Sequence, residues 1–507
     1  MNLVELLWQR RNDSESSPAL VFGAASETFR DVANSASKLG TYLRQREMKR
    51  VAIALPNSVE SVHAIYGVLW AGCTATLVNH TGSRSELLAA LSDADVELLI
   101  TSDSSIESWG AIDLPVLAGD GLATVLADSD LENDDHPAEV DDSSAAVIIF
   151  TSGTTGRPKG AVLSHGALAD ANTAISKALV GKPGPFPIGD RPKSPTLLAL
   201  PLAHTGGLCS LLFALHVGRP VVLVERFRLE LVLAAIAEHG ADTMIVTPTM
   251  LHALATHEDP IDLGPVKIVQ STGAPLPASV KERFEKRFGL PIIQNYGQTE
   301  SLHVAGWTRD ELKNGTWKAG SVGRAYEGVE LHVLDDEGVE VAPSEIGEIC
   351  VRSAHIMSRY VGKAAEPGRH VDDDGLLHTG DLGYVDADGF LFIVDRKREV
   401  MIVGGFNVYP AEVENALLSH LDVVEAVVIG MPDDRLGELP YGVVVVKNPD
   451  LTEADLIEHC REQIAHYKCV RVVKIVDQLP HTASQKIARS DVRESLLADT
   501  TPDTSSA

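Results

Sequence analysis

Thr151-Ser152-Gly153-Thr154-Thr155-Gly156-Arg157-Pro158-Lys159-Gly160 directly follows the apolar run 145–150. Its glycines let the backbone fold tightly with N–H groups turned inward, while the hydroxyls of Thr151, Ser152, Thr154 and Thr155 and the ammonium of Lys159 offer donors to phosphate oxygens. The stretch therefore reads as a triphosphate clamp entered from a strand. It differs from the G-x-x-x-x-G-K-[ST] phosphate loop, because Gly156 is followed by Arg157-Pro158-Lys159 and Pro158 spoils entry into a phosphate-capping helix. A plain surface loop of the same composition is the alternative reading.

On either side of this string the texture is α/β. Residues 51–55 read as a strand, Pro56-Asn57-Ser58 as a turn and helix cap, 59–71 as a helix and 74–78 as the next strand, which together make one βαβ unit. Further strands are predicted at 98–101, 146–150, 197–200, 221–224, 243–246 and 267–271, the pattern of a domain built around parallel strands. From Gly320 the chain changes to short β-like runs with turns between them, at 331–334 and 348–352. After Asp395-Arg396-Lys397-Arg398 a fresh α+β unit begins, with helices at 410–419 and 453–463 and strands at 423–429 and 441–446. The expected domains are 1–397 and 398–498, with 499–507 a disordered tail.

Composition sets outer limits. With 43 basic against 71 acidic residues and a net charge of −28, broad binding to nucleic acid or anionic lipid is excluded as a function class. Cys73, Cys209, Cys350, Cys460 and Cys469 are too widely spaced for a CxxC site and odd in number, so they read as buried small hydrophobes in a reducing compartment. Residues 1–11 lack the basic start and apolar block of a signal peptide, which points to a cytoplasmic protein. No Asp, Glu, Lys or Arg lies between Lys193 and Arg219, but Pro195, Pro201, Gly206 and Gly207 interrupt that stretch, suiting strand, loop and buried helix better than a membrane span.

At residues 151–160 the chain resembles the adenylate-forming superfamily, which includes acyl-CoA synthetases, amino-acid adenylation domains and beetle luciferases. Other similarities follow in order. Asn295-Tyr296-Gly297-Gln298-Thr299-Glu300 resembles the family's adenine and metal segment, which implies that Tyr296 stacks on adenine, Thr299 touches the α-phosphate and Glu300 holds Mg²⁺. A hard carboxylate suits Mg²⁺ and an aromatic ring offers a face to a base, as the chemistry alone requires. Gln270-Ser271-Thr272-Gly273-Ala274-Pro275 is similar to the wall between the adenine and acid sites, placing Gly273, Ala274 and Pro275 beside ATP. In His378-Thr379-Gly380-Asp381, Asp381 can accept hydrogen bonds from ribose hydroxyls, and the resemblance brings Arg396 to the same sugar.

Pro201-Leu202-Ala203-His204-Thr205-Gly206-Gly207-Leu208 resembles the acid-site motif of acyl- and aryl-CoA synthetases, with His204 near the attacking carboxylate; a satisfied core histidine is the alternative. Lys486, in Pro480-His481-Thr482-Ala483-Ser484-Gln485-Lys486, resembles the catalytic lysine, although the family commonly has glycine where Gln485 stands. A cation there opposes the negative charge that grows as pyrophosphate departs. Lys468, Arg471, Lys474, Lys486, Arg489 and Arg493 against Asp477 and Asp491 suggest either an anion-facing surface or a solvated helix face.

Adenylation and thiol transfer need different groups at one acyl carbon, so a hinge is expected. The resemblance puts it at Arg398, with Gly404 and Gly405 along the pantetheine path; an ordinary hairpin turn is the other reading of those glycines. The implied activity joins a fatty, aryl or alicyclic acid to AMP using ATP and Mg²⁺, then passes the acyl group to coenzyme A. A homodimer is among the assemblies open to it. The rivals are an enzyme that loads a separate carrier protein, a luciferase-like oxygenase, and a catalytically dead binding protein, for which Gln485 is the hint.

Overall fold

The βαβ unit at 50–77 shows why the first domain assembles as it does. Arg50–Ala54 forms a strand whose last four residues are buried. Ser58 then caps the helix Val59–Trp70 by accepting from the Ser61 N–H, and the Ser61 side chain returns the bond to the Ser58 N–H. This reciprocal cap fixes where the helix starts. Residues 61–70 of that helix are all buried, as befits a helix held between two sheets.

In this computed structural model, the structure describes residues 3–11, 18–128, 131, 136–151, 159–182, 184, 194–362, 370–482 and 486–500. Two seven-stranded sheets dominate it. The first runs Arg359–Val361, Lys159–Ser164, Ala145–Thr151, Thr74–Leu77, Arg50–Ala54, Leu98–Thr101 and Val116–Ala118. It is parallel except where Lys159–Ser164 pairs antiparallel with both of its neighbours. The second runs Ile292–Gln294, Ile268–Ser271, Thr243–Val246, Thr196–Leu198, Val221–Leu223, Pro18–Phe22 and Ala25–Thr28, with an antiparallel pair only at its last edge. One apolar core joins them, including Ile53 and Leu77 from the first sheet and Leu197 and Val222 from the second.

A four-stranded antiparallel sheet follows, Val329–Leu334, Gly347–Ser353, Leu377–Val385 and Leu391–Arg396. Lys397–Glu399 is a single 3₁₀ turn. From Met401 onward a five-stranded sheet carries its own buried clusters, one around Val408, Leu417 and Leu456 and another around Val427, Leu479 and Val492.

The α/β character with a largely parallel sheet is as expected, and so are strands Leu98–Thr101 and Thr243–Val246 and helix Glu453–Gln463. Three features differ from the sequence reading. The first sheet is antiparallel where Lys159–Ser164 pairs with Ala145–Thr151 and with Arg359–Val361. Strands Val423–Asp433 and Gly437–Val446 form one long hairpin, reaching further than alternation alone indicates. The final helix, Arg489–Thr500, continues two residues into the expected tail, and 501–507 lie outside the described residues. All five cysteines are free and buried. Among the described residues, no helix is long and apolar enough to cross a membrane; the uncharged stretch becomes strand Thr196–Leu198 and helix Thr205–His216.

Candidate active site

The two large sheets present the ends of their strands to a common crevice, where ligand sites of open α/β sheets lie. Into it come the loop after Thr196–Leu198, which carries His204, and the segment after Ile268–Ser271, which carries Gly273. The segment after Ile292–Gln294 adds Tyr296 to Glu300, and the middle of Leu377–Val385 adds Asp381.

Asp381 is the hub on the nucleotide side. It is 5 % exposed; its Oδ2 accepts from the Tyr296 hydroxyl at 2.7 Å and from the Gln298 amide, and its Oδ1 meets Arg396 Nε at 2.7 Å. Gln298 also donates to the Thr379 carbonyl at 3.0 Å. An ionised carboxylate has about four lone-pair sites, so acceptors remain for a sugar hydroxyl. Burial and the neighbouring Asp381 charge both hold the Tyr296 phenol well above its ordinary pKa. It stays a neutral donor. Burial alone would lower Arg396, but Asp381 and the other anions around it raise it overall.

Glu300 lies on the other flank. The Tyr360 hydroxyl donates to its Oε1 at 2.6 Å, and the Thr151 hydroxyl reaches the same oxygen at 3.5 Å. Tyr360 comes from the edge strand paired with Lys159–Ser164, and Lys159 stands 5.5 Å above its ring and 3.4 Å from His370 Nε2. With both of these bonds on Oε1, the half-buried carboxylate keeps its second oxygen as a hard donor of the kind Mg²⁺ takes.

The acid-side loop closes the crevice. Thr205 and Thr299 share a hydroxyl–hydroxyl bond of 2.7 Å. A Cβ on Gly206 would lie 3.9 Å from Thr272 Cγ2, and one on Gly207 would strike the Pro201 carbonyl oxygen at 2.1 Å, so only glycine lets this helix start so close to its own loop. His204 Nε2 is buried without a hydrogen-bond partner. Burial, helped by the positive charge of Lys486, pushes the imidazole down to about 4.

Lys486 arrives from the far end of the chain. Its Cε passes 3.7 Å from where a Cβ on Gly273 would be, Gly273 itself having φ of +87°. The side chain is exposed to the open crevice but ringed by protein; that crowding and Arg396 lower its pKa, while Asp381 and Glu300 oppose the shift.

Tyr296, Thr299, Glu300, Asp381, Arg396, Thr151, Lys159, Gly273, His204 and Lys486 are thus gathered in one place. Ala274, Pro275 and Gly297 are exposed beside them, and the Asn295 side-chain oxygen is buried without a partner. Ser152, Gly153, Thr154, Thr155, Gly156 and Gln485 lie outside the described residues. Arg398 pairs with Glu399 at 3.6 Å. Gly404 and Gly405 form the turn of the hairpin Met401–Val403/Phe406–Val408, with φ of +59° and +87°, which is the hairpin reading of that pair. The C-terminal basic run is divided: Arg489 binds Glu414 and Glu399, Lys468 binds Glu412, and Lys486 alone of these three turns to the crevice.

Sequence reasoning gave no role to Gln298, Thr205, Tyr360 or His370. The first two sit inside quoted motifs and were within reach. Tyr360 and His370 come from distant segments, and only the fold brings them in.

Residues 7–361 match the family model of the AMP-binding enzymes, and residues 412–486 match the model of the AMP-binding enzyme C-terminal domain. A 2-succinylbenzoate–CoA ligase of Bacillus cereus is 32 % identical over 457 residues, covering 90 % of each chain. An o-succinylbenzoate coenzyme A synthetase from Bacillus subtilis, solved with ATP and magnesium ion, is 29 % identical with a TM-score of 0.81, covering 96 % of this chain and 99 % of that one. The anthranilate CoA ligase AuaEII, solved with anthranoyl-AMP, is 27 % identical with a TM-score of 0.88 over 98 % of both chains.

Proposed function

From the premise that the chain belongs to the AMP-binding enzyme family, as an ATP-dependent, AMP-forming acid–CoA ligase, we propose that its acid is an aryl carboxylate and that the gathered residues divide the two half-reactions as follows. In the first, a carboxylate oxygen bonds to the α-phosphorus of ATP and the bond to the bridging oxygen breaks, releasing pyrophosphate. In the second, the sulfur of coenzyme A bonds to the acyl carbon, the carbon–oxygen bond breaks and AMP leaves.

Asp381 and Arg396 hold the ribose, Tyr296 stacks its ring on the adenine while its hydroxyl braces Asp381, and Asn295, Gly297, Gly273, Ala274 and Pro275 border the nucleoside. Thr299 donates to the α-phosphate, and the string from Thr151 to Lys159 cradles the outer phosphates. Glu300 is the residue that would hold Mg²⁺, which supplies charge neutralisation to the phosphates when bound. His204, kept neutral by burial, offers its unpartnered Nε2 to the acid carboxylate without a charge that would trap it. Lys486 faces the negative charge that develops between the acid and the α-phosphate.

One observation carries this reading: a lysine from residue 486 stands against Gly273 and within the field of Arg396, Asp381 and Glu300. That arrangement suits adenylation. Thiol transfer then requires other groups at the same carbon, supplied by rotation about Arg398 that brings the Gly404–Gly405 turn to the pantetheine path.

The aryl reading is supported by two similar enzymes whose acids carry an aromatic ring, 2-succinylbenzoate and anthranilate, and by the small side chains at Ala203, Gly206, Gly207 and Ala274. A pyrophosphate-release screen over benzoates, 2-succinylbenzoate, anthranilate, medium-chain fatty acids and alicyclic acids tests it, with free coenzyme A compared against a holo-carrier protein. Preference for a fatty acid, or acyl transfer to the carrier alone, contradicts it.

A further inference from the structure

Asn57 lies in the segment that the sequence marks only as a turn and cap, yet its side chain makes three hydrogen bonds to backbone groups. It is 4 % exposed. Its amide nitrogen donates to the Leu200 carbonyl at 2.9 Å and the Val224 carbonyl at 3.0 Å, and its oxygen accepts from the Leu202 N–H at 2.9 Å. Both N–H groups and the carbonyl are in use, so the amide has one orientation that satisfies every partner.

The three partners lie in segments that follow strands of the other sheet. Asn57 follows strand Arg50–Ala54 of the first sheet; Leu200 and Val224 follow strands Thr196–Leu198 and Val221–Leu223 of the second. Leu202 sits two residues before His204, whose own N–H donates to the Pro201 carbonyl at 3.1 Å. From there the chain enters helix Thr205–His216, and Thr205 bonds Thr299. One side chain therefore ties both sheets at their strand ends and sets the backbone that presents His204 and Thr205.

We propose that Asn57 is a positioning residue for the acid site: it fixes the 200–204 loop so that His204 faces the carboxylate, without itself touching substrate. This rests on the acid-site assignment above. A buried amide that only stabilised the fold would leave discrimination between acid and ATP alone. One that sets the loop acts on the acid in particular, since a displacement of about 1 Å can cost about 100-fold in rate.

The test compares wild type, Asn57→Ala and Asn57→Asp, the latter keeping the acceptor for Leu202 while turning an oxygen toward the two carbonyls. Adenylation is followed by pyrophosphate release with 2-succinylbenzoate as probe, below the melting temperature of each variant. Both variants are expected to raise KM for the acid by about 10- to 100-fold, while KM for ATP stays within about twofold. Crystal structures of wild type and Asn57→Ala are expected to show the 200–204 backbone displaced. A lower melting temperature with unchanged acid KM, equal rises in both KM values, or an unmoved loop overturns the proposal. Failure of the wild type to use 2-succinylbenzoate would count against the aryl reading, and the loop position would still decide the role of Asn57.

Discussion

Tyr360 donates its hydroxyl hydrogen to Glu300 Oε1 at 2.6 Å, which makes an edge-strand tyrosine the support of the crevice's half-buried carboxylate. The bond commits one carboxylate oxygen and leaves the other for a cation. Tyr360→Phe removes this support while keeping the ring beneath Lys159. The Mg²⁺ concentration for half-maximal adenylation should rise several-fold, and Mn²⁺ affinity measured by electron paramagnetic resonance should fall with it. Unchanged metal dependence would contradict the assignment of Glu300.

Lys486→Ala should reduce acid-dependent pyrophosphate release by about 100- to 1000-fold, the usual loss when one preorganised donor to a developing charge is removed. The same site has a pH signature. Crowding by protein and the nearby Arg396 lower the lysine below its ordinary 10.5, so the cation, and activity with it, is lost on the alkaline side earlier than an ordinary lysine would allow. Lys486→Arg should move that alkaline limb upward, whatever its effect on the maximal rate.

His204 should not set the acid limb of activity above about pH 5, because burial and Lys486 hold it near 4. Its truncation in His204→Ala should raise KM for the acid more than KM for ATP. A wild-type rate that follows a pKa near 6.5, lost in His204→Ala, would contradict a neutral histidine.

Folding stability should fall in acid for a related reason. His165, His204, His252, His303 and His355 are each pushed from 6.5 to about 4, in every case chiefly by burial. In the unfolded chain they protonate near 6.5, so between that pH and about 4 the unfolded state binds more protons and stability drops as pH falls. At about 1.4 kcal/mol per pKa unit, each of these histidines weakens the fold by about 3 kcal/mol across that window, and together they weaken it by an amount comparable to the whole stability of an ordinary domain, about 5–15 kcal/mol. Urea titrations at pH 7.5 and 5 should show the midpoint falling, and His252→Gln should reduce the difference.

Much of this was legible in the sequence because it is local. The hexapeptide ending at Glu300 and the Asp381 motif each lie within ten residues and come together in the fold, and strand periods located many strands of the two large sheets; residues 152–158 of the glycine-rich string lie outside the described residues. What could not be read is contact across the fold. Tyr360 reaches Glu300 only because its strand pairs with Lys159–Ser164, and Asn57 reads as a turn until Leu200 and Val224 are brought to it. Charge counting left the C-terminal basic run open between an anion-facing surface and a solvated helix face, and Arg489 and Lys468 spend their charge on Glu414, Glu399 and Glu412. Composition cannot tell a part-buried ion pair from an anion-facing surface.

The most direct test is isotope exchange between labelled pyrophosphate and ATP, run with an aryl acid and without coenzyme A. The gathered site predicts exchange that depends on the acid, needs no thiol, and is nearly abolished by Lys486→Ala. Exchange that requires coenzyme A, or turnover yielding ADP and phosphate instead of AMP and pyrophosphate, would contradict it.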